Sequence, residues 1–353
     1  MNESESEEEE VGRRRTNTWD SNQKEEELVP DKVVKKIKKD IFAADLKISV
    51  LVCALESYRY DSVLRPFPPV GLRDDGTKDV QKLTQLCNSL PKLSTLVKGD
   101  QSISDDAWEL LDWIMNKTFD ITMLDKSMFK EIEKRTGQPS YSSTQPDFIF
   151  EIEYNQDNVL NKRFLELAEH YDILYAYHGS APDNFHSILH NGLHSHLNKN
   201  SLFGEGTYLS SDLNVSITYS KYSHLWNNSI LGAKMSCMAV CEVLDHPDVK
   251  CTLEKKTRNG VERQSGTRAR AQNSEGGDVP ERYYVVTNNQ LLRVKYLMVY
   301  AEKRKAESRT SPGTWFAWII IFYILVLIIL GLSRSRAFSN IQSKIFGSPH
   351  SQL

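Results

Sequence analysis

The chain has 353 residues, 40% of them apolar and 26% charged, which is ordinary globular usage with room for two modest domains. Cys53, Cys87, Cys237, Cys241 and Cys251 are scattered, odd in number and without a C-x-x-C pair, which excludes a zinc knuckle and a disulfide framework and reads as core thiols in a reducing compartment. The formal charge of −3 conceals an acidic head, Glu3, Glu5 and Glu7 to Glu10, followed by Arg13 to Arg15, and residues 1–30 have too few apolar side chains to fold.

From Asp31 to Tyr60, Val33, Val34, Ile37, Ile41, Leu46, Val50 and Leu51 recur at helical spacing, until Pro66 and Pro68-Pro69 break the run. Further helices are expected from Lys78 to Leu90, Ser104 to Asn116 and Lys126 to Thr136, making residues 31–137 a small helical domain. Asp105 and Asp106 fall in a first turn, where they complement the helix dipole. Gln138 to Gln145 is a polar linker, and after it the period becomes alternating at Phe148-Ile149-Phe150-Glu151-Ile152-Glu153-Tyr154. Strands are expected at Ile173 to Tyr177, Met235 to Val243, Tyr283 to Val286 and Val294 to Ala301, with helices at Asn158 to His170 and Asn184 to His190. A strand-rich segment without regular βαβ alternation makes residues 138–303 an α+β domain.

The densest motif set lies between Tyr175 and Asp212. An apolar strand delivers His178, Gly179 and Ser180, and Phe203-Gly204-Glu205-Gly206-Thr207-Tyr208 closes the stretch. Gly179, without a Cβ, lets its backbone approach a flat ligand, and His178 and Ser180 flank it with donors and acceptors. The loop glycines allow a turn that aims the Tyr208 ring at the same space, where it can stack on a planar group. Ser216 and Tyr219, three residues apart, are expected on one helical face. The loop lacks the third glycine of a dinucleotide fingerprint, so it is not a Rossmann site. The basic stretch Lys255, Lys256, Arg258, Arg263, Arg268 and Arg270 has no interleaved aromatics and reads as a solvated loop rather than a nucleic-acid surface.

Trp315 to Leu332 is eighteen residues without a charge, which at about 1.5 Å per residue spans roughly 27 Å, the thickness of the endoplasmic reticulum bilayer. Residues 304–314 form a linker and 333–353 a short tail, so the expectation is a single-pass tail anchor inserted after translation. Basic residues flank both sides, and orientation follows instead from the absence of a secretory signal at Met1-Asn2-Glu3, with the preceding domains expected in the cytosol and the tail in the lumen. Asn214-Val215-Ser216 is a glycosylation sequon over the proposed ligand slot, which agrees with a cytosolic domain.

His178-Gly179-Ser180, Phe203-Gly204-x-Gly206-x-Tyr208, Ser216 with Tyr219, and Tyr283-Tyr284-Val285-Val286 before Leu291-Leu292-Arg293-Val294-Lys295-Tyr296-Leu297 together resemble the catalytic domain of the PARP family, in particular its tail-anchored branch. The resemblance covers roughly Asp31 to Lys303 plus the anchor. It implies a split-sheet ADP-ribosyltransferase domain, mixed and mainly antiparallel, that uses NAD⁺ as co-substrate without a metal. It implies further that Gly179 and Ser216 grip the carboxamide, that Tyr208 and Tyr219 sandwich the nicotinamide, and that His178 with Ser180 binds the adenosine ribose. Polymer-forming members carry a Glu where Tyr283 stands, and a neutral phenol cannot take its part as a base. The implied activity is therefore transfer of single ADP-ribose units to the chain itself and to other proteins. The implied setting is the reticulum, with stress-sensing kinases of that organelle and nuclear import factors among the partners. An inactive NAD⁺- or ADP-ribose-binding scaffold and a purely structural membrane tether remain as alternatives.

Overall fold

In the computed structural model, residues 28–115, 118–137, 145–194, 203–257, 260–268, 279–304 and 312–333 are described. The expectations for residues 1–27 and for the tail beyond Ser333 lie outside them. Two compact units are present, one ending at Lys303 and one beginning at Arg304.

The long helical run expected from Asp31 breaks at Asp40, leaving α1 (Val29–Lys39) and α2 (Ile41–Leu55). Asp40 is extended, and its Oδ1 accepts from the Ala43 N–H at 2.9 Å, capping α2. Its Oδ2 accepts from the Met123 N–H at 2.7 Å, so one side chain starts a helix and fastens it to a sheet edge. Short α3 (Tyr60–Val63) follows, then α4 (Val80–Ser89), α5 (Leu93–Lys98) and α6 (Asp105–Met115). Val33 and Ile37 of α1, with Leu83, Leu96 and Leu110, build a helical core.

α2 is buried on every face, from Ala43 to Leu55 without a break. Ala43, Leu46, Val50 and Cys53 join the core beneath the sheet, while Ala44, Ile48 and Leu51 join the helical core. Fully buried Asp45 accepts from Ser49 Oγ (3.0 Å), Trp226 Nε1 (3.1 Å), Ser229 Oγ (2.6 Å) and the Ile230 N–H (2.7 Å). Desolvation raises its pKa, and those four bonds oppose the rise.

Next come β1 (Phe119–Leu124), α7 (Met128–Thr136), β2 (Phe148–Tyr154), α8 (Val159–Ala168), β3 (Ile173–Ser180), α9 (Pro182–Asn191), β4 (Thr207–Ser210) and α10 (Leu213–Ile217). After them lie β5 (Ser223–His224), β6 (Lys234–Leu244), β7 (Val249–Thr257), β8 (Gly260–Arg268), β9 (Tyr283–Val286) and β10 (Leu292–Glu302). The sheet order is β1-β2-β10-β6-β3-β4-β9-β7-β8, with β5 on β6. Expected to be mixed and mainly antiparallel, the sheet is antiparallel at every pairing among the described residues. Its two halves meet at one registered pair, Tyr177↔Ser210, which is the split. The basic stretch read as a loop is instead largely the β7–β8 hairpin, with Lys255↔Glu262 and Lys256↔Val261 in register; Arg258 and Arg270 lie outside the described residues.

In the second unit α11 (Pro312–Ser333) contains Trp315–Leu332, with a mean hydropathy of 2.8, the one helix among the described residues long and apolar enough to cross a membrane.

Candidate active site

The strand that was expected to stop at Tyr177 continues through Ser180, because His178, Gly179 and Ser180 pair with Ala239, Met238 and Cys237 of β6. On its other side β3 pairs with β4 at Tyr177 alone, and past that point the strands part. His178 spans the parting, with Nδ1 2.9 Å from the Tyr208 carbonyl. A carbonyl can only accept, so Nδ1 carries the proton and Nε2 is left with a lone pair. Burial lowers the pKa of the ring, against the opposing effect of that bond, and favours the neutral form.

Gly179 cannot be anything larger. A Cβ there would stand 1.9 Å from the Ser216 carbonyl oxygen and 3.1 Å from Ser220 Oγ. The Ser216 hydroxyl donates to the Tyr177 carbonyl at 3.1 Å, so the polar groups of Tyr177 point toward α10. By the two-residue alternation of an antiparallel strand, the N–H and C=O of Gly179 point the same way, beyond the last β4 pairing. Ser220 Oγ beside them is buried with no hydrogen-bond partner. A bare backbone edge and an orphan hydroxyl fit the carboxamide of NAD⁺, which offers two donors and an acceptor.

Ser216 and Tyr219 do not share a helical face as expected, since α10 ends at Ile217. Tyr219 lies in the turn beyond it, its N–H donating to the Ser216 carbonyl at 3.1 Å, with the residue 57% exposed.

Gly204, with φ of 99°, turns the loop into β4. The Tyr208 hydroxyl closes that turn, donating to the Gly204 carbonyl at 2.6 Å and accepting from the Phe203 N–H at 3.0 Å. The Phe203 ring lies 6.2 Å from the Tyr208 ring and meets the Tyr283 ring edge-on at 6.3 Å. Tyr283 pairs with Ser210 across β4–β9 and follows Arg282, which holds a left-handed φ of 69° with its guanidinium 3.3 Å from Asp212. Burial pushes the Tyr283 phenol upward, with smaller contributions from Tyr219 and Asp212.

Contacts therefore run from His178 to Tyr208, Phe203 and Tyr283, and separately from Tyr219 to Ser216, whose carbonyl lies against Gly179. Ser180 is reached separately, its Oγ accepting from Asn184 Nδ2 at 2.9 Å. Sequence reasoning missed four members of this neighbourhood, Asn184, Arg59, Ser220 and Lys250. Asn184, four residues past Ser180 at a helix start, was the one with a local signal. Among the described residues no set of three or more His, Cys, Asp or Glu is gathered for a metal.

The family model described as "Poly(ADP-ribose) polymerase catalytic domain" matches residues 126–302, and that of the "ARTD15 N-terminal domain" matches residues 35–115. A Mus musculus protein described as "Protein mono-ADP-ribosyltransferase PARP16" is 46% identical over 312 residues, 87% of this chain and 95% of its own length. A Homo sapiens protein of the same description is 48% identical over 307 residues, 86% of this chain and 94% of its own.

Proposed function

This chain belongs to the poly(ADP-ribose) polymerase family and is an NAD⁺-dependent ADP-ribosyltransferase; on that premise we propose that it transfers single ADP-ribose units to itself and to proteins at the endoplasmic reticulum surface. The observation that carries the site is the Gly179 edge pressed against Ser216, with the orphan Ser220 hydroxyl beside it.

The bond to nicotinamide breaks through a transition state with oxocarbenium character, so the protein must hold the leaving group flat and the ribose fixed. The Gly179 backbone and the Ser216 hydroxyl hold the carboxamide. Tyr208, made rigid by its bonds to Gly204 and Phe203, offers one ring face, and Tyr219 swings in as the other. His178 Nε2 accepts from an adenosine ribose hydroxyl, and Ser180 contacts the same sugar. Nicotinamide departs neutral, the acceptor side chain bonds to the ribose carbon, and its proton passes to water. Tyr283, kept in its neutral phenol form, supplies no base for extending a chain on a sugar hydroxyl, which supports single-unit transfer.

Anchorage by Trp315–Leu332 with the catalytic unit in the cytosol is supported by the five cysteines, all buried and none in a disulfide, and by Asn214. A glycan on that exposed residue would crowd Ser216 two positions on. Kinases that sense stress in the organelle and nuclear import factors are the acceptors proposed by resemblance.

Incubation with labelled NAD⁺ tests the reading. One ADP-ribose per modified side chain is expected, with nicotinamide released, and neither His178→Ala nor Tyr208→Ala should transfer label. Binding without nicotinamide release would establish a scaffold instead, and a ladder of polymers would overturn single-unit transfer.

A further inference from the structure

The helical region reaches the proposed NAD⁺ site through a continuous chain of hydrogen bonds. Ser57 and Arg59 follow α2, and Asp183 and Asn184 lie in the first turn of α9. Ser57 Oγ donates to Asp183 Oδ2 at 2.7 Å, and Arg59 Nη2 donates to that oxygen at 3.2 Å. The same Nη2 donates to Asn184 Oδ1 at 3.0 Å, and Asn184 Nδ2 passes on to Ser180 Oγ at 2.9 Å.

The direction of this chain follows from chemistry. A guanidinium has donors and no acceptor, so the end of the Asn184 amide that faces Arg59 must be its oxygen. The NH₂ end then faces Ser180 and occupies a lone pair of its hydroxyl. That leaves the Ser180 O–H proton for something else. Were the amide turned over, its oxygen would take that proton, and Ser180 could only accept. The latch is not built for stability alone, because Arg59 Nε and Asp183 Oδ1 are buried with no partner, which costs the fold.

We propose that Arg59 is a positioning residue for NAD⁺: by fixing the amide of Asn184 it makes Ser180 a hydrogen-bond donor to an adenosine ribose oxygen, so the helical region sets NAD⁺ affinity. This rests on the reading of Ser180 as a ribose contact. Arg59 touches no substrate, and its effect falls on KM.

The test uses the full chain, with kcat, the KM for NAD⁺ and Tm measured for each variant. Arg59→Met is expected to raise KM about five- to tenfold, the worth of one hydrogen bond, with kcat changed far less. Arg59→Lys, also a pure donor, should restore KM. Asn184→Asp keeps an acceptor for Arg59, and a charged one, so Tm should not fall; its carboxylate cannot donate to Ser180, so KM should rise as in Arg59→Met. In a Ser180→Ala background Arg59→Met should add nothing further. A lower Tm with unchanged KM in Arg59→Met, or a wild-type KM in Asn184→Asp, would reduce the latch to a structural contact. A wild-type KM in Ser180→Ala would overturn the proposal through its premise, and inactivity of Tyr208→Ala in the same assay would show that the NAD⁺ site itself still stands.

Discussion

Lys250, 2% exposed within the sheet, donates from Nζ to the carbonyl of Phe203 at 2.8 Å. Lys250 pairs with Val285, and Val285 pairs with Tyr208, so the three lie in one row on one face, with the ammonium reaching the loop that presents the Tyr208 ring.

Lys250→Met keeps the stem and removes the donor. Transferase kcat/KM is expected to fall about tenfold as the Phe203 loop loosens. Tm should hold or rise, since a buried charge has been replaced by an apolar side chain. Thermal melts beside initial rates separate the two, and a fall in Tm with unchanged rates would make Lys250 a stability element.

Tyr283→Phe should retain activity within about tenfold, because the substitution removes one hydrogen-bonding hydroxyl and leaves the edge contact with Phe203. Tyr283→Ala should lose more, since the Phe203 ring then loses its edge contact as well. Rates from NAD⁺ turnover check the order, and equal losses in the two variants would assign the effect to the hydroxyl.

Burial lowers the pKa of His178, so in the unfolded chain it takes a proton first as pH falls from about 6.5. Its contribution to stability is therefore constant above that value and declines from there down to the lower folded pKa. Nε2 stops accepting when protonated, so the KM for NAD⁺ should stay flat between pH 8 and about 6.5 and climb only below it. Rates at limiting and saturating NAD⁺ across that range give the profile, and a KM that changed most above pH 7 would implicate a different group.

Gly179→Ala forces the Ser216 carbonyl away from β3. The expected cost is about 1–3 kcal/mol of stability together with loss of turnover. Denaturant melts and label transfer measure both, and an active, fully stable variant would mean that α10 does not need to sit where it does.

A chain ending at Lys303 should be soluble and still transfer label, as the unit before Arg304 is compact by itself. The full chain should fractionate with membranes and resist alkaline carbonate. Ile320→Arg with Leu327→Arg, each costing about 2.5–3.5 kcal/mol in a bilayer, should release it. Retention of that double variant in membranes would shift the anchoring role to another part of the protein.

The elements legible beforehand were those whose periodicity is strong over their own length. β2, with its alternating Phe148 to Tyr154, and β9 match the expected bounds, and α8 and α9 differ by a residue or two at their ends. β4 has four residues behind a glycine turn, too few to show a period. The β7–β8 hairpin was hidden by its lysines and arginines, since a strand without an apolar stripe reads as solvent. The break at Asp40 leaves the apolar spacing intact on both sides, and the carboxylate three residues ahead of Ala43 was the overlooked sign. In the site, His178, Gly179 and Tyr208 stand in compact motifs. Arg59 and Asn184 are 125 positions apart, and Lys250 looks like any surface lysine until the sheet closes over it.

Because α2 faces a hydrophobic interior on both sides, it acts as a shared wall. A fragment cut to the transferase half would leave Trp226, Ser229 and the Ile230 amide without the carboxylate that gathers them, and would expose the flank of the sheet that α2 covers. The helical half alone would hold a bare strip of its own. Neither piece is a natural unit of expression, and divergence in one half is constrained by the shape of the other along this single helix.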